Sequence, residues 1–133
     1  NVYNVVTRGL EAELLPFLQA HQRAPSLTVY NPLAGGLLTG KHTIEPLEGS
    51  RLADNPMYNK RYWKKGYLRA AKRFIDCAQA NDWSPVSLAF AWLNAQPHVD
   101  FAYLREDIPS AELMAELNDI WLELSGDTFA YYR

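Results

Sequence analysis

The chain has 133 residues, of which 48% are apolar and 21% are charged, a balance typical of a globular domain. The formal net charge of −2 argues against a nucleic-acid-binding surface, which needs a stripe of basic residues, and no apolar run reaches the roughly 18 residues of a membrane helix. The single cysteine, Cys77, excludes an internal disulfide and favours a reducing compartment. We therefore predict a cytoplasmic protein that binds neither nucleic acid nor membrane.

Strand and helix patterns alternate in the first part of the chain. Residues 1–6 are β-branched and aromatic and predict a strand, and Thr7 is a candidate cap for the helix that follows, which should end near Arg23. Residues 26–30 predict a second, buried strand. The Asn-Pro pair after it should end this strand, because proline has no N–H for a sheet ladder.

The second part of the chain is predicted to be mainly helical. A segment from Leu33 to about Met57 is rich in Gly and Pro and lacks periodicity, and loops of this length are usually functional or disordered. Helices are then predicted from about Tyr62 to Ala80, from the Ser84-Pro85 pair onwards, and from about Pro109 to Leu124, with a third strand at 99–104. The apolar positions at helical spacing in these three helices are Tyr67, Ala70, Ala71, Phe74 and Ala78, then Leu88, Ala91, Trp92 and Ala95, then Leu113, Leu117, Ile120, Trp121 and Leu124.

This alternation predicts an α/β fold with a parallel sheet. Three strands are few, because both faces and both edges of a parallel sheet must be covered. We therefore expect residues 1–133 to be one partial domain of a larger α/β fold. The first residue, Asn1, is not methionine, which favours a fragment or a processed product.

The stretch AGGLLTGKH, residues 34–42, resembles a phosphate-binding P-loop. It has Gly35, four residues, and then Gly40 and Lys41, but His42 stands where the motif needs Ser or Thr to hold magnesium. The residues after it do not begin a helix. The histidine at position 42 and the missing helix therefore argue against a nucleoside triphosphatase, while the glycines and nearby cations still favour an anion site.

One longer motif carries a resemblance to a known family. The stretch VYNPLAGGLLTGK, residues 29–41, resembles the seventh strand and following loop of the aldo-keto reductase superfamily, closest to its aflatoxin-aldehyde reductase branch. The stretches VYNVVTRGLEAELLPFL, GSRLADN, MYNKRYWKK, SPVSLAFAWL and LNDIWLELSGDTFAYYR resemble further pieces of that branch in the same order. The resemblance implies a (β/α)8 TIM barrel, of which this chain would supply strands six to eight with their helices.

The family reduces aldehydes and ketones with NADPH, and the resemblance implies which residues here take part. Its catalytic Asp, Tyr, Lys and His have no match in this chain, so no catalytic residue is predicted. Tyr30 would stack on the nicotinamide ring. The other implied cofactor residues are Asn31, Pro32, Leu33, Gly35, Leu37, Lys41, Arg51 and Arg61. Tyr58 and Arg133 match residues that contact substrate.

The segment after the third predicted strand departs from the family pattern. The family binds the 2′-phosphate and adenine there with Ser, Arg, Gln and Asn donors, whereas this chain has Glu106, Asp107 and Glu112, which would repel phosphate. Either 110–117 is a degenerate adenine helix, or that helix is deleted and 109–124 is the family's final helix, which needs no alignment gap. Binding of NADP(H) by this chain is therefore in doubt.

The sequence leaves two functions open. The chain is either the C-terminal, cofactor-binding half of an NADP(H)-dependent carbonyl reductase, inactive as given, or a degenerate non-catalytic half barrel that binds a nucleotide or a protein. Its open strand edges lead us to expect self-association. No metal site is predicted, because the three histidines share no ligand spacing.

Overall fold

The computed structural model describes residues 1–22, 27–42, 45–99 and 109–128. This part of the chain is mainly helical, with two short 3₁₀ helices at Gly9–Glu11 and Ala34–Thr39. The α-helices are α1 (Leu14–Ala20), α2 (Arg51–Asp54), α3 (Pro56–Tyr62), α4 (Lys65–Ala80), α5 (Pro85–Asn94) and α6 (Ala111–Thr128). None of the helices in these ranges combines the length and the apolar character that a bilayer-spanning segment would require.

The first two predicted strands meet in a single parallel bridge between Val2 and Tyr30. Tyr3 N donates to the Tyr30 carbonyl at 3.2 Å, and Tyr30 N donates to the Asn1 carbonyl at 2.9 Å. No longer strand forms in the described residues, so the three strands of a partial barrel are not confirmed. Of the third predicted strand only Val99 is described.

A side chain within the first predicted strand explains why that strand does not continue. Asn4 is fully buried, and its Oδ1 accepts the backbone N–H of Val6 at 3.0 Å. Asn4 and Thr7 exchange two backbone hydrogen bonds of 3.2 and 3.0 Å, which closes a turn over Val5 and Val6. Both valines are buried, so their apolar character serves the core without a sheet ladder.

The first helix begins later than predicted. Gly9–Glu11 is a 3₁₀ turn preceded by Arg8, and α1 starts only at Leu14. Thr7 therefore does not cap α1. Instead Arg8 forms an ion pair of 2.8 Å with Glu11, and the Tyr3 hydroxyl also donates to Glu11.

The long unperiodic segment holds more helix than predicted. The Ala34–Thr39 turn, α2 and the start of α3 lie within it, and α4 begins at Lys65 rather than near Tyr62. All five residues of the predicted α4 stripe are buried. The Ser84 cap of α5 is confirmed, with Ser84 Oγ accepting Ser87 N at 3.1 Å.

The core lies where α4 packs against α6, α5 and the Ala34–Thr39 turn. The predicted α6 positions Leu113, Leu117, Ile120 and Leu124 are buried in it. This packing holds the Ala34–Thr39 turn on a fixed helical support, so the loop around it is positioned by tertiary contacts.

Candidate functional site

Residues 31–41, called here the glycine loop, adopt a strongly turned backbone. Asn31, Ala34, Gly35, Gly36 and Gly40 have φ angles of 65°, 50°, 70°, 103° and 80°. These left-handed conformations suit glycine and, among other residues, asparagine. The loop therefore reverses repeatedly, and several of its backbone N–H groups bond within the loop itself.

Asn31 is the hydrogen-bonding centre of this loop. Its Oδ1 accepts the backbone N–H of Gly35 at 2.7 Å, and its Nδ2 donates to the Tyr62 hydroxyl at 2.6 Å. Its carbonyl accepts from Asn4 Nδ2 at 2.9 Å and from Ala34 N at 3.2 Å. Asn31 thus ties the first turn of the chain, the glycine loop and α3 together.

Tyr30 projects from the bridge into solvent beside the loop. Its side chain is 57% exposed. It lines a cleft of about 320 Å³ together with Arg61 from α3, Glu13 and Leu14. An exposed aromatic face next to a guanidinium offers both stacking and charge to a ligand. The structure thus brings two of the predicted cofactor residues, Tyr30 and Arg61, to one cleft.

The short helices α2 and α3 place Arg51 and Tyr58 near the loop. Ser50 caps α2 by accepting Ala53 N, and Asn55 caps α3 by accepting Met57 N at 3.0 Å and Tyr58 N at 3.3 Å. Pro56 occupies the first turn of α3, where no intrahelical N–H bond is lost. The sequence analysis did not predict these caps, although Ser50, Asn55 and Pro56 are residue types that characteristically mark the start of a helix.

Tyr58 packs directly on the glycine loop. A Cβ atom built on Gly35 would lie 2.5 Å from Tyr58 Cδ1, so only glycine fits beneath this ring. The Arg51 guanidinium lies 5.3 Å from the centre of the same ring, within cation–π range. The predicted substrate residue Tyr58 therefore contacts two predicted cofactor residues.

The remaining predicted residues are not gathered in the Tyr30 cleft. Leu37 is buried and lines a separate cavity of about 640 Å³ with His42 and α4. Lys41 is exposed beside Gly36, while Pro32 and Leu33 are partly buried. Arg133 lies outside the described residues.

Two residues central to the site were missed by sequence reasoning. Asn4 and Tyr62 are both fully buried and both hydrogen bond to Asn31. The available signal was an asparagine within the apolar run at 1–6. Burial raises the pKa of the Tyr62 hydroxyl, with the charge of Arg61 opposing the rise, so this phenol is neutral near pH 7.

The other chemistry-bearing side chains of the described residues do not form a reactive centre. Burial lowers the pKa of His42, with Lys41 adding to the effect. Burial raises the pKa of the Cys77 thiol to about 12, with Glu116 adding to the rise, so this cysteine stays protonated. Within the four described ranges, no three His, Cys, Asp or Glu side chains are grouped as metal ligands would be.

Comparisons with known proteins all find members of one protein family. The sequence model of the Aldo/keto reductase family matches residues 1–124. The mouse protein aflatoxin B1 aldehyde reductase member 2 is 41% identical over 76 residues, which are 52% of this chain and 20% of that protein. The human protein aldo-keto reductase family 7 member A3 is 42% identical over 74 residues, or 50% of this chain and 22% of that protein.

A third relative aligns with a longer part of this chain. An aldo-keto reductase of Babesia bovis is 30% identical over 118 residues, which are 80% of this chain and 41% of that protein. The chain thus spans less than half the length of these curated relatives. Because the family model matches nearly the whole sequence, from Asn1 to Leu124, the chain belongs to the aldo/keto reductase family.

Proposed function

We propose that this chain is the cofactor-binding part of an NADP(H)-dependent reductase that converts aldehydes or ketones to alcohols. Within this proposal, residues 1–133 are one partial domain that corresponds to strands six to eight of a (β/α)8 barrel and their helices. Family membership supports the reaction class, and the names of the aldehyde reductase relatives favour an aldehyde substrate. The observation that carries the proposal is the exposed Tyr30 ring beside Arg61 at the edge of the glycine loop.

The described residues fit a dinucleotide in three respects. The Tyr30 ring can stack on nicotinamide and leave the opposite ring face open to substrate. At Gly36 the loop carries no side chain of its own, and His42 and Lys41 are the nearest side chains, so a pyrophosphate could approach the backbone there beside a positive charge. Lys41 and Arg61 supply positive charge near the loop. NADPH, when bound, supplies the hydride, and this chain's part is to orient the ring that carries it.

The form of helix α6 helps to decide whether the family's adenine-binding helix is deleted or degenerate in this chain. It runs without a break from Ala111 to Thr128, and its buried positions form one stripe against α4. This continuity supports deletion of the adenine-binding helix over a degenerate copy of it. The hydrogen bonds of Glu112 to its own backbone and to Ser110 lower its pKa, so a negative charge remains at the start of α6.

Fluorescence titration of the purified chain with NADPH tests the proposal. We expect saturable binding that Tyr30→Phe preserves and that Tyr30→Ala weakens by about two- to tenfold, because stacking of aromatic rings is worth about 0.5–1.5 kcal/mol. Phe17→Ala is the matched control, since Phe17 is also 57% exposed but lies on α1. Absence of NADPH binding by the unmodified chain would refute the proposal.

The second candidate is a non-catalytic module that binds a nucleotide or a protein. The acidic stretch 106–112, where the family has phosphate donors, favours it. Titration with NADH and with ATP separates the two candidates. A module that has lost recognition of the 2′-phosphate should bind NADH and NADPH with equal affinity. We expect no aldehyde-dependent oxidation of NADPH by the chain alone, because no catalytic residue is assigned to it; detectable turnover would contradict that expectation.

A further inference from the structure

The hydrogen bonds of Asn31 point inward, toward the protein. Its Oδ1 faces a backbone N–H, that of Gly35, at 2.7 Å. Because a backbone N–H can only donate, this contact fixes which end of the amide is oxygen. The Nδ2 end must then donate, and its partner at 2.6 Å is the Tyr62 hydroxyl oxygen.

Tyr62 is well suited to hold Asn31 in place. It is fully buried at the end of α3, so water does not compete for its hydroxyl. Its ring is packed edge-on against Tyr67 from α4, with centroids 5.6 Å apart, and lies 6.1 Å from the Tyr58 ring. The hydroxyl therefore projects from a ring that packing from two helices restrains.

Asn31 in turn sets the direction of the chain on both sides of it. Its φ of 65° is left-handed, a conformation that costs a non-glycine residue free energy unless contacts favour it. On one side it is joined to Tyr30, whose backbone forms the bridge to Val2. On the other side it binds the amide of Gly35, four residues into the glycine loop.

We propose that Tyr62 and Asn31 are positioning residues, in which the buried Tyr62 hydroxyl holds the Asn31 side chain so that it orients the glycine loop and the adjacent Tyr30 ring toward a bound dinucleotide. The inference rests on the proposed function for the identity of the ligand. It assigns to Asn31 a role inside the protein, and it gives a function to Tyr62, which no sequence motif indicated. Neither residue needs to touch the cofactor.

Two measurements on the same variants test this inference. Tyr62→Phe removes only the hydroxyl, and Tyr3→Phe is its matched control, because Tyr3 is equally buried and its hydroxyl donates to Glu11 outside the loop. We expect amide hydrogen exchange at Gly35 to be about five- to tenfold faster in Tyr62→Phe, as for loss of one hydrogen bond, and unchanged in Tyr3→Phe. The NADPH dissociation constant should rise by a similar factor in Tyr62→Phe alone.

The outcomes separate the inference from the proposed function. Unchanged exchange at Gly35, or faster exchange with an unchanged dissociation constant, overturns the positioning role. If the unmodified chain binds no NADPH, the proposed function and the cofactor role of Tyr62 both fail, while the exchange data still decide whether the hydroxyl holds the loop. Should Tyr62→Phe not fold, Asn31→Gly keeps the left-handed backbone and removes the side-chain bonds of Asn31 to both Tyr62 and Gly35. Exchange at Gly35 equal to that in the unmodified chain would then also overturn the role.

Discussion

Replacement of Gly35 by alanine should separate a steric effect from a backbone effect in the glycine loop. Gly35 has φ of +70°, and an added Cβ would lie 2.5 Å from Tyr58 Cδ1 and 3.0 Å from Cε1. The left-handed backbone costs alanine about 1–2 kcal/mol, and forcing a ring out of a packed position costs about 1–3 kcal/mol more. The ring cannot move freely, because Arg51 stacks on it and α3 carries it.

Gly49→Ala is the matched control for this experiment. Gly49 has φ of +71° but nothing lies within 4 Å of its added Cβ, so it bears only the backbone cost. Any gain from a less flexible unfolded chain is the same in both variants and cancels in the comparison. Urea unfolding should therefore show Gly35→Ala to be less stable than Gly49→Ala by about 1–3 kcal/mol, a midpoint difference of roughly 1 M.

A double variant locates the cause of that difference. In a Tyr58→Ala background the ring is absent, so Gly35→Ala should cost no more than Gly49→Ala does. If Gly35→Ala and Gly49→Ala destabilise the unmodified chain equally, the contact between Tyr58 and the loop contributes nothing and the reasoning is refuted.

Two further predictions concern helix capping and pH. Asn55→Ala removes the Oδ1 atom that accepts both the Met57 and the Tyr58 N–H at the start of α3, and it should cost about 1 kcal/mol in urea unfolding. Ser84→Ala, at the cap of α5, should cost a similar amount but, unlike Asn55→Ala, leave NADPH affinity unchanged. Burial lowers the pKa of both His42 and His98, so below about pH 6.5 the unfolded chain binds protons that the folded chain does not, and stability should fall between about pH 7.5 and 5.5. Urea unfolding midpoints measured at both ends of this pH range test the prediction. The midpoint should fall less in the double variant His42→Gln/His98→Gln than in the unmodified chain. A midpoint that rises toward the lower pH would contradict the prediction.

Helical periodicity made the packing of the second half predictable. The α4 stripe from Tyr67 to Ala78 and the α6 positions Leu113, Leu117 and Ile120 are buried as their spacing indicates. Such stripes depend only on residues within one helix, so they can be recognised without knowing the partner. The Ser84 cap was predictable for the same reason, since its hydrogen bond spans three residues.

The strands and the centre of the candidate site were not predictable in this way. Apolar, β-branched residues such as Val5 and Val6 are compatible with a sheet or with a buried turn, and the side chain of Asn4 decides for the turn. Helix α3 was missed because it is only two turns long and has no apolar period, although Asn55 and Pro56 mark its start. The contact between Asn31 and Tyr62 joins residues 31 positions apart, and no local pattern reveals it.

The exposed ring of Tyr30 owes its position to side chains more than to a sheet. One parallel bridge restrains its backbone on one side, but only weakly, because a lone bridge has no neighbouring ladder bonds. On the other side the chain is held by Asn31, which hydrogen bonds to Asn4, Gly35 and Tyr62 and so to three separate segments. Substitutions at the buried partners Asn4 and Tyr62 should therefore disturb the ring as strongly as substitutions in the bridge, although neither of them lines the Tyr30 cleft. A site built in this way can keep its ligand geometry while the exposed residues of the loop vary, provided that the asparagine and its buried partners remain.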